Sequence, residues 1–166
     1  MDSLPVAGSL FIGSIVANMF YLHSKRAHES SSTNTCEDIL YNGNCHCKAV
    51  TFEIFAPRHL LVWNCNCSVC DMKKNWHVVV PNSKFKLLTG SDDLQLYTFN
   101  THVAKHYFCK HCGVQSFYIP RSNPDGYAVT FACLQAQVGT THEMKGFDGQ
   151  HWEDYISRSG IQTLSK

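Results

Sequence analysis

Short apolar runs, each broken by turn residues, follow one another from Tyr41 to Leu134. In "VTFEIF" (50–55) and "LQLYTF" (94–99) apolar and polar positions alternate, as on a strand with one buried face. Most runs are rich in Val, Thr, Phe and Tyr, side chains that fit a pleated surface. The pattern predicts strands over 49–55, 60–64, 76–80, 85–88, 94–99, 104–108, 115–119 and 127–134. Asn42-Gly43, Pro57, Pro81-Asn82, Gly90, "NPDG" at 123–126 and Gly139 punctuate them. One short helix is expected late, around "GQHWEDYISR" (149–158). Strands at this spacing predict a mainly β, mostly antiparallel domain over residues 41–155, followed by a C-terminal tail over 156–166.

The N-terminal pattern differs in kind. Residues 3–22, "SLPVAGSLFIGSIVANMFYL", carry no charge, and about twenty apolar residues suffice to span a bilayer as a helix. Asp2 precedes the run, whereas Lys25, Arg26 and His28 follow it. A cleaved signal peptide has the opposite order. The positive-inside rule then puts the C-terminal side in the cytosol. Pro5, Gly8, Gly13 and Asn18 lower the hydrophobicity, so a peripheral apolar tail is the alternative. Ser9, Gly13 and Ala17 recur every fourth residue, a spacing that permits close helix pairing. Segment 1–24 is thus a candidate transmembrane helix and membrane anchor. Residues 25–40, polar and rich in Ser and Thr, read as a linker to a cytosol-facing domain. Without the anchor the protein would be soluble in the cytoplasm or nucleus.

At 166 residues the chain supports one domain with a real core. A hydrophobic share of 44% against 16% charged places most of it among folded chains. A formal net charge of +1 excludes a strongly basic nucleic-acid module. The nine cysteines change the picture most. Their number is odd, and seven fall in three tight clusters, unlike the even, dispersed set of a secreted disulfide framework. Clustered thiols read as metal ligands, which must stay reduced.

The clusters are Cys45 and Cys47 in "CHC", Cys65, Cys67 and Cys70 in "CNCSVC", and Cys109 and Cys112 in "CKHC". Each adjoins an expected strand, where a tight turn aims two sulfurs at one point. A structural zinc takes four ligands, and the two pairs together supply four. The remaining three match a catalytic zinc, which keeps an open position. Other partitions stay open, because His46, His77, His102, His106 or His111 could close the triple cluster. An iron–sulfur cluster also uses thiolates, but no run here has ferredoxin spacing. Cys36 and Cys133 stand alone and read as inert thiols. Lys48, Lys73, Lys74 and Lys110 flank the clusters, and Arg121 in "PRSNPDG" is a candidate partner for a substrate carboxylate.

C-x-C, then C-x-C-x-x-C, then C-x-x-C-G resembles the glutathione-dependent formaldehyde-activating enzyme family. The strings "CNCSVCDMKKNWHVVVP", "FKLLTG" and "YTFNTHVAKHYFCKHCGVQSFYIPRSNPDGY" resemble its branch around centromere protein V and relatives. The resemblance runs from about Tyr41 to about Tyr155. It implies a β-tent fold, with sheets around a structural zinc on Cys45, Cys47, Cys109 and Cys112. It implies a second, open zinc on Cys65, Cys67 and Cys70, hence two Zn²⁺ per chain. It further implies carbon–sulfur lyase activity on a thiol–aldehyde adduct such as S-hydroxymethylglutathione, with glutathione as the small-thiol partner. Two alternatives compete: an inactive zinc-stapled binding module of the centromere protein V type, and a metal-buffering or redox-sensing role for the triple cluster.

Overall fold

The computed structural model describes residues 37–166. The candidate anchor over 3–22, most of the linker and Cys36 lie outside the described residues. No helix among the described residues is long and apolar enough to cross a membrane.

Two sheets carry the fold. The first has three strands: β1 (Asp38–Asn44), β2 (Thr51–Pro57) and β5 (Phe85–Thr89), in the order β1-β2-β5. The second has seven: β3 (His59–Cys65), β4 (Trp76–Pro81), β6 (Leu94–Tyr97), β7 (Lys105–Cys109), β8 (Phe117–Ile119), β9 (Gly126–Thr130) and β10 (Thr141–Phe147). Their order is β10-β3-β4-β9-β8-β7-β6. Helix α1 (Ser68–Lys73) follows β3, and α2 (Trp152–Ser159) follows β10. A 3₁₀ turn over Ile161–Ser165 closes the chain.

Strand alternation explains where the core sits. Along β3, β4, β8 and β9, neighbouring residues point to opposite faces of the larger sheet. Val62, Val78, Val80, Phe117 and Val129 join Tyr41, Phe52 and Ile54 of the smaller sheet in one buried cluster. Trp63, Val79, Tyr118 and Ala128 face the other way and pack with Phe147 and Ile161. The first face is sealed by a sheet. The second is only partly covered by α2 and the C-terminal turn, and this is where a pocket opens.

All eight expected strands are present: β3, β4 and β5 run one or two residues longer than expected, β2 and β7 are shifted toward the C-terminus, and β6 and β8 are two residues shorter. Residues 127–134 do not form one strand: β9 stops at Thr130, and Phe131–Cys133 turns as a 3₁₀ segment. The late helix is α2, beginning three residues after Gly149.

Three elements escape the pattern. Strand β10, "THEMKGF", is exposed along all but its last residue, so it carries no buried apolar stripe. It pairs with β3 in parallel, the exception to an otherwise antiparallel scheme. Helix α1 has six residues, too few to show a helical period. Strand β1 contains Asn42-Gly43, which reads as a hairpin turn but lies within the strand, Gly43 opposite Phe52. A Cβ on Gly43 would sit 2.1 Å from Phe52 Cζ, so this glycine makes room for a ring instead of turning the chain.

Candidate metal centres and the adjoining pocket

Two similar turns build the four-cysteine cluster. In the β1–β2 turn, the Cys45 N–H donates to the Val50 carbonyl and the Lys48 N–H to the Cys45 carbonyl, each at 3.0 Å. Lys48 takes a φ of +65°, which swings Cys47 back beside Cys45. In the β7–β8 turn, the Cys109 N–H donates to the Val114 carbonyl (3.0 Å) and the Gly113 N–H to the Cys109 carbonyl (2.8 Å). Gly113 has a φ of +73°, where a side chain would be strained. The Sγ atoms of Cys45 and Cys47, and of Cys47 and Cys109, are 3.6 Å apart. Four thiolates on one tetrahedral zinc, at about 2.3 Å each, require edges of about 3.8 Å. The donor set therefore fits zinc. No disulfide joins any described cysteine.

The three-cysteine cluster has another construction. Cys65 ends β3, Cys67 caps α1, and Cys70 lies buried on the first turn of that helix. Their sulfurs lie within 4.8 Å of one another, and no histidine, aspartate or glutamate among the described residues joins them. Hydrogen bonds from the thiols of Cys65 and Cys70, and from the backbone N–H groups of Cys70 and Val69, pull the Cys67 thiol down to about 2. The same sharing with Cys67 pushes Cys65 up to about 11. Of the three thiols, Cys67 is thus the one most readily deprotonated.

A loop closes over this cluster. The Asn66 side chain accepts from the N–H groups of Gly149 (2.7 Å) and Gln150 (3.1 Å) and donates to Asp148 (3.2 Å). A Cβ on Gly149 would lie 2.6 Å from Cys65 Sγ and 2.6 Å from Cys67 Cβ, so only glycine fits there.

The cluster opens into a pocket of about 390 Å³. One wall is an ordered polar network. The Tyr118 hydroxyl is 3.2 Å from His77 Nε2, and His77 Nδ1 faces the Asn75 carbonyl at 3.4 Å. Nδ1 therefore carries the proton, and Tyr118 donates to Nε2. The His106 ring stacks on Tyr118, centroids 4.9 Å apart and planes within 7°. Gln115 Oε1 accepts from Lys73 Nζ (2.6 Å) and from His106 Nδ1 (3.3 Å), which leaves His106 Nε2 as an acceptor. Burial holds His77 down at about 4, and burial followed by the nearby Lys73 charge lowers His106. Burial likewise raises the Tyr118 phenol. Both imidazoles are thus neutral and the phenol protonated at neutral pH.

The candidate histidines sort clearly. His77 and His106 line the pocket without reaching the sulfurs as ligands. His46, His102 and His111 are exposed, and the last two pair with Thr98 and Asp93. All four lysines are exposed; Lys73 reaches Gln115 of the pocket network, whereas Lys74 pairs with Asp71 and Lys110 donates to the Asp92 carbonyl. Tyr118, Gln115, Asn66 and Gly149 carry no signal that strand or cysteine patterns would flag.

Two cysteine clusters lie on a β scaffold, one closed between turns and one open to a pocket, and each could hold a metal ion. Residues 40–150 match the glutathione-dependent formaldehyde-activating enzyme family, and the chain belongs to it. A crystal structure of a Rhodobacter sphaeroides protein, Northeast Structural Genomics target RhR83, has a similar fold with a TM-score of 0.53. The two sequences are 32% identical over 63% of this chain and 99% of the other.

Proposed function

We propose that the protein is a zinc-dependent carbon–sulfur lyase acting on a thiol–aldehyde adduct such as S-hydroxymethylglutathione, at Cys65, Cys67 and Cys70. One observation carries the reading: the cluster with three sulfurs is the one that opens into the pocket. Cys45, Cys47, Cys109 and Cys112 would hold a structural zinc and staple the two sheets. Zinc held by three thiolates supplies, when bound, an open position that favours a thiol in its thiolate form.

The rest falls to side chains. In the condensing direction a sulfur–carbon bond forms, the carbonyl π bond breaks, and the thiol proton ends on the hydroxymethyl oxygen. Cleavage runs the same steps in reverse. His106 Nε2 would hold that proton, a role supported by Gln115, which fixes Nδ1 as the donor and leaves Nε2 free to accept. Tyr118 and His77 form an uncharged wall that keeps water from the reacting atoms. The apolar lining from Phe99, Phe147 and Trp152 does the same. Outside the domain, residues 3–22 would tether it to a membrane with the domain facing the cytosol. Full-length chain released by carbonate would reject the tether.

NMR exchange spectroscopy on glutathione, formaldehyde and their adduct tests the activity. Zinc-loaded protein should speed exchange above the uncatalysed rate, and Cys67→Ser should not. Thiol binding without acceleration would support the alternative reading as an inactive binding module of the centromere protein V type.

A further inference from the structure

Apart from the three-cysteine cluster, the pocket lining has one permanent charge. Of the residues that line it, Arg121 is the single permanent cation, and no carboxylate is among them. Both histidines that share the lining are kept neutral by burial. Beyond the cysteine cluster, this guanidinium is the point of the lining that attracts an anion.

Arg121 is also held in place more firmly than a surface arginine. Its Cζ lies 3.3 Å from the centroid of the Trp152 ring, so the guanidinium plane rests on the first residue of α2. Its loop is anchored at the next position but one. Asn123, fully buried, donates from Nδ2 to the Ile161 carbonyl (2.9 Å) and to Ser165 Oγ (2.8 Å). The Asn123 N–H donates to the Pro120 carbonyl at 3.2 Å and closes the turn that presents Arg121. The C-terminal turn thus fixes the loop, and the loop fixes the guanidinium.

The present partner of Arg121 is Glu153, through one hydrogen bond from Nη1 at 3.0 Å. The Glu153 side chain is 78% exposed, that of Arg121 only 22%. A pair with so wet a carboxylate contributes little and is readily exchanged. A substrate carboxylate inside the pocket could take two N–H donors at once, in a drier place.

We infer that Arg121, on its Trp152 shelf, is the carboxylate-recognition point of this pocket, and that Glu153 occupies the guanidinium until a substrate displaces it. The inference rests on the reading that the three-cysteine cluster receives a substrate thiol.

Isothermal titration of the zinc-loaded full chain separates the two ideas. The titrants are glutathione, its diethyl ester and 2-mercaptoethanol. Wild type should bind all three, with glutathione about tenfold or more tighter than the diester, the worth of a charge-assisted pair. Arg121→Met should abolish that preference and leave 2-mercaptoethanol affinity unchanged. Arg121→Lys should keep part of it, since charge remains but the planar fork is lost. Glu153→Gln should tighten glutathione a few-fold and leave the diester as it was. Equal affinity of wild type for glutathione and diester overturns the inference, as does an equal loss for all three thiols in Arg121→Met. Should Arg121→Met fail to fold, the ester comparison and Glu153→Gln decide alone. If wild type binds no thiol at all, the reading of the three-cysteine cluster falls and this inference falls with it.

Discussion

Removing one sulfur from each cluster should have very different consequences. Cys47 and Cys109 are 62 residues apart in the chain, and their turns belong to different sheets. A metal there closes a long loop of the unfolded chain. By the chain-entropy relation for cross-links, a loop of 62 residues is worth about 4 kcal/mol. The triple cluster lies within one strand-to-helix turn, and a loop of about 5 residues is worth only about 2 kcal/mol. Structural zinc sites bind with about 10–16 kcal/mol in all, comparable with the whole stability of a domain, about 5–15 kcal/mol. Cys109→Ser is therefore expected to leave the domain unfolded or nearly so at 25 °C. Cys67→Ser should keep a cooperative urea transition, destabilised by about 2 kcal/mol or less beyond the lost metal contribution. Elemental analysis should find about two zinc per wild-type chain and about one in Cys67→Ser, each cluster binding one ion. Equal collapse from the two substitutions would refute the reasoning, as would one zinc in wild type.

Gly149→Ala should cost about 1–3 kcal/mol through the clash with Cys65 and Cys67, and should lower zinc occupancy toward one while the sheets persist. Zinc content beside near-UV circular dichroism checks it. Asn66→Ala removes the acceptor of the Gly149 and Gln150 amides, so hydrogen exchange at those two should rise well before the strands respond. His77 is held at about 4 when folded against an ordinary value near 6.5, so the unfolded chain binds its proton first as pH falls. Its contribution is full above pH 6.5, is lost progressively toward pH 4, and comes to about 3 kcal/mol. His77→Gln should flatten the stability slope in that window, read by urea unfolding at several pH values. An unchanged slope would show that the buried imidazole is not its source.

The order of cysteines and the alternation of apolar residues determined much of this protein. Seven thiols in three clusters are local facts of the chain, and the turns that aim them need only neighbouring residues. Most of the eight strands between 49 and 134 could be read because they turn at least one apolar face toward a core, and the mostly exposed edge strand β6 could be read because its sequence still alternates. Strand β10 could not, because an exposed edge strand has backbone pairing but no apolar signature. Its parallel match to β3 depends on where the chain returns after residue 140. Asn42-Gly43 misleads for a related reason, since the ring of Phe52 sets the need for glycine from across the sheet. The grouping of the seven sulfurs into four and three was open in the sequence. Tertiary structure settled the geometry by bringing residues 45–47 against 109–112 and leaving 65–70 facing the pocket. The pocket itself is wholly a tertiary product. Tyr118, His77, His106 and Gln115 come from β8, β4, β7 and the segment before β8. They meet because alternation turned them to the same incompletely covered face of one sheet.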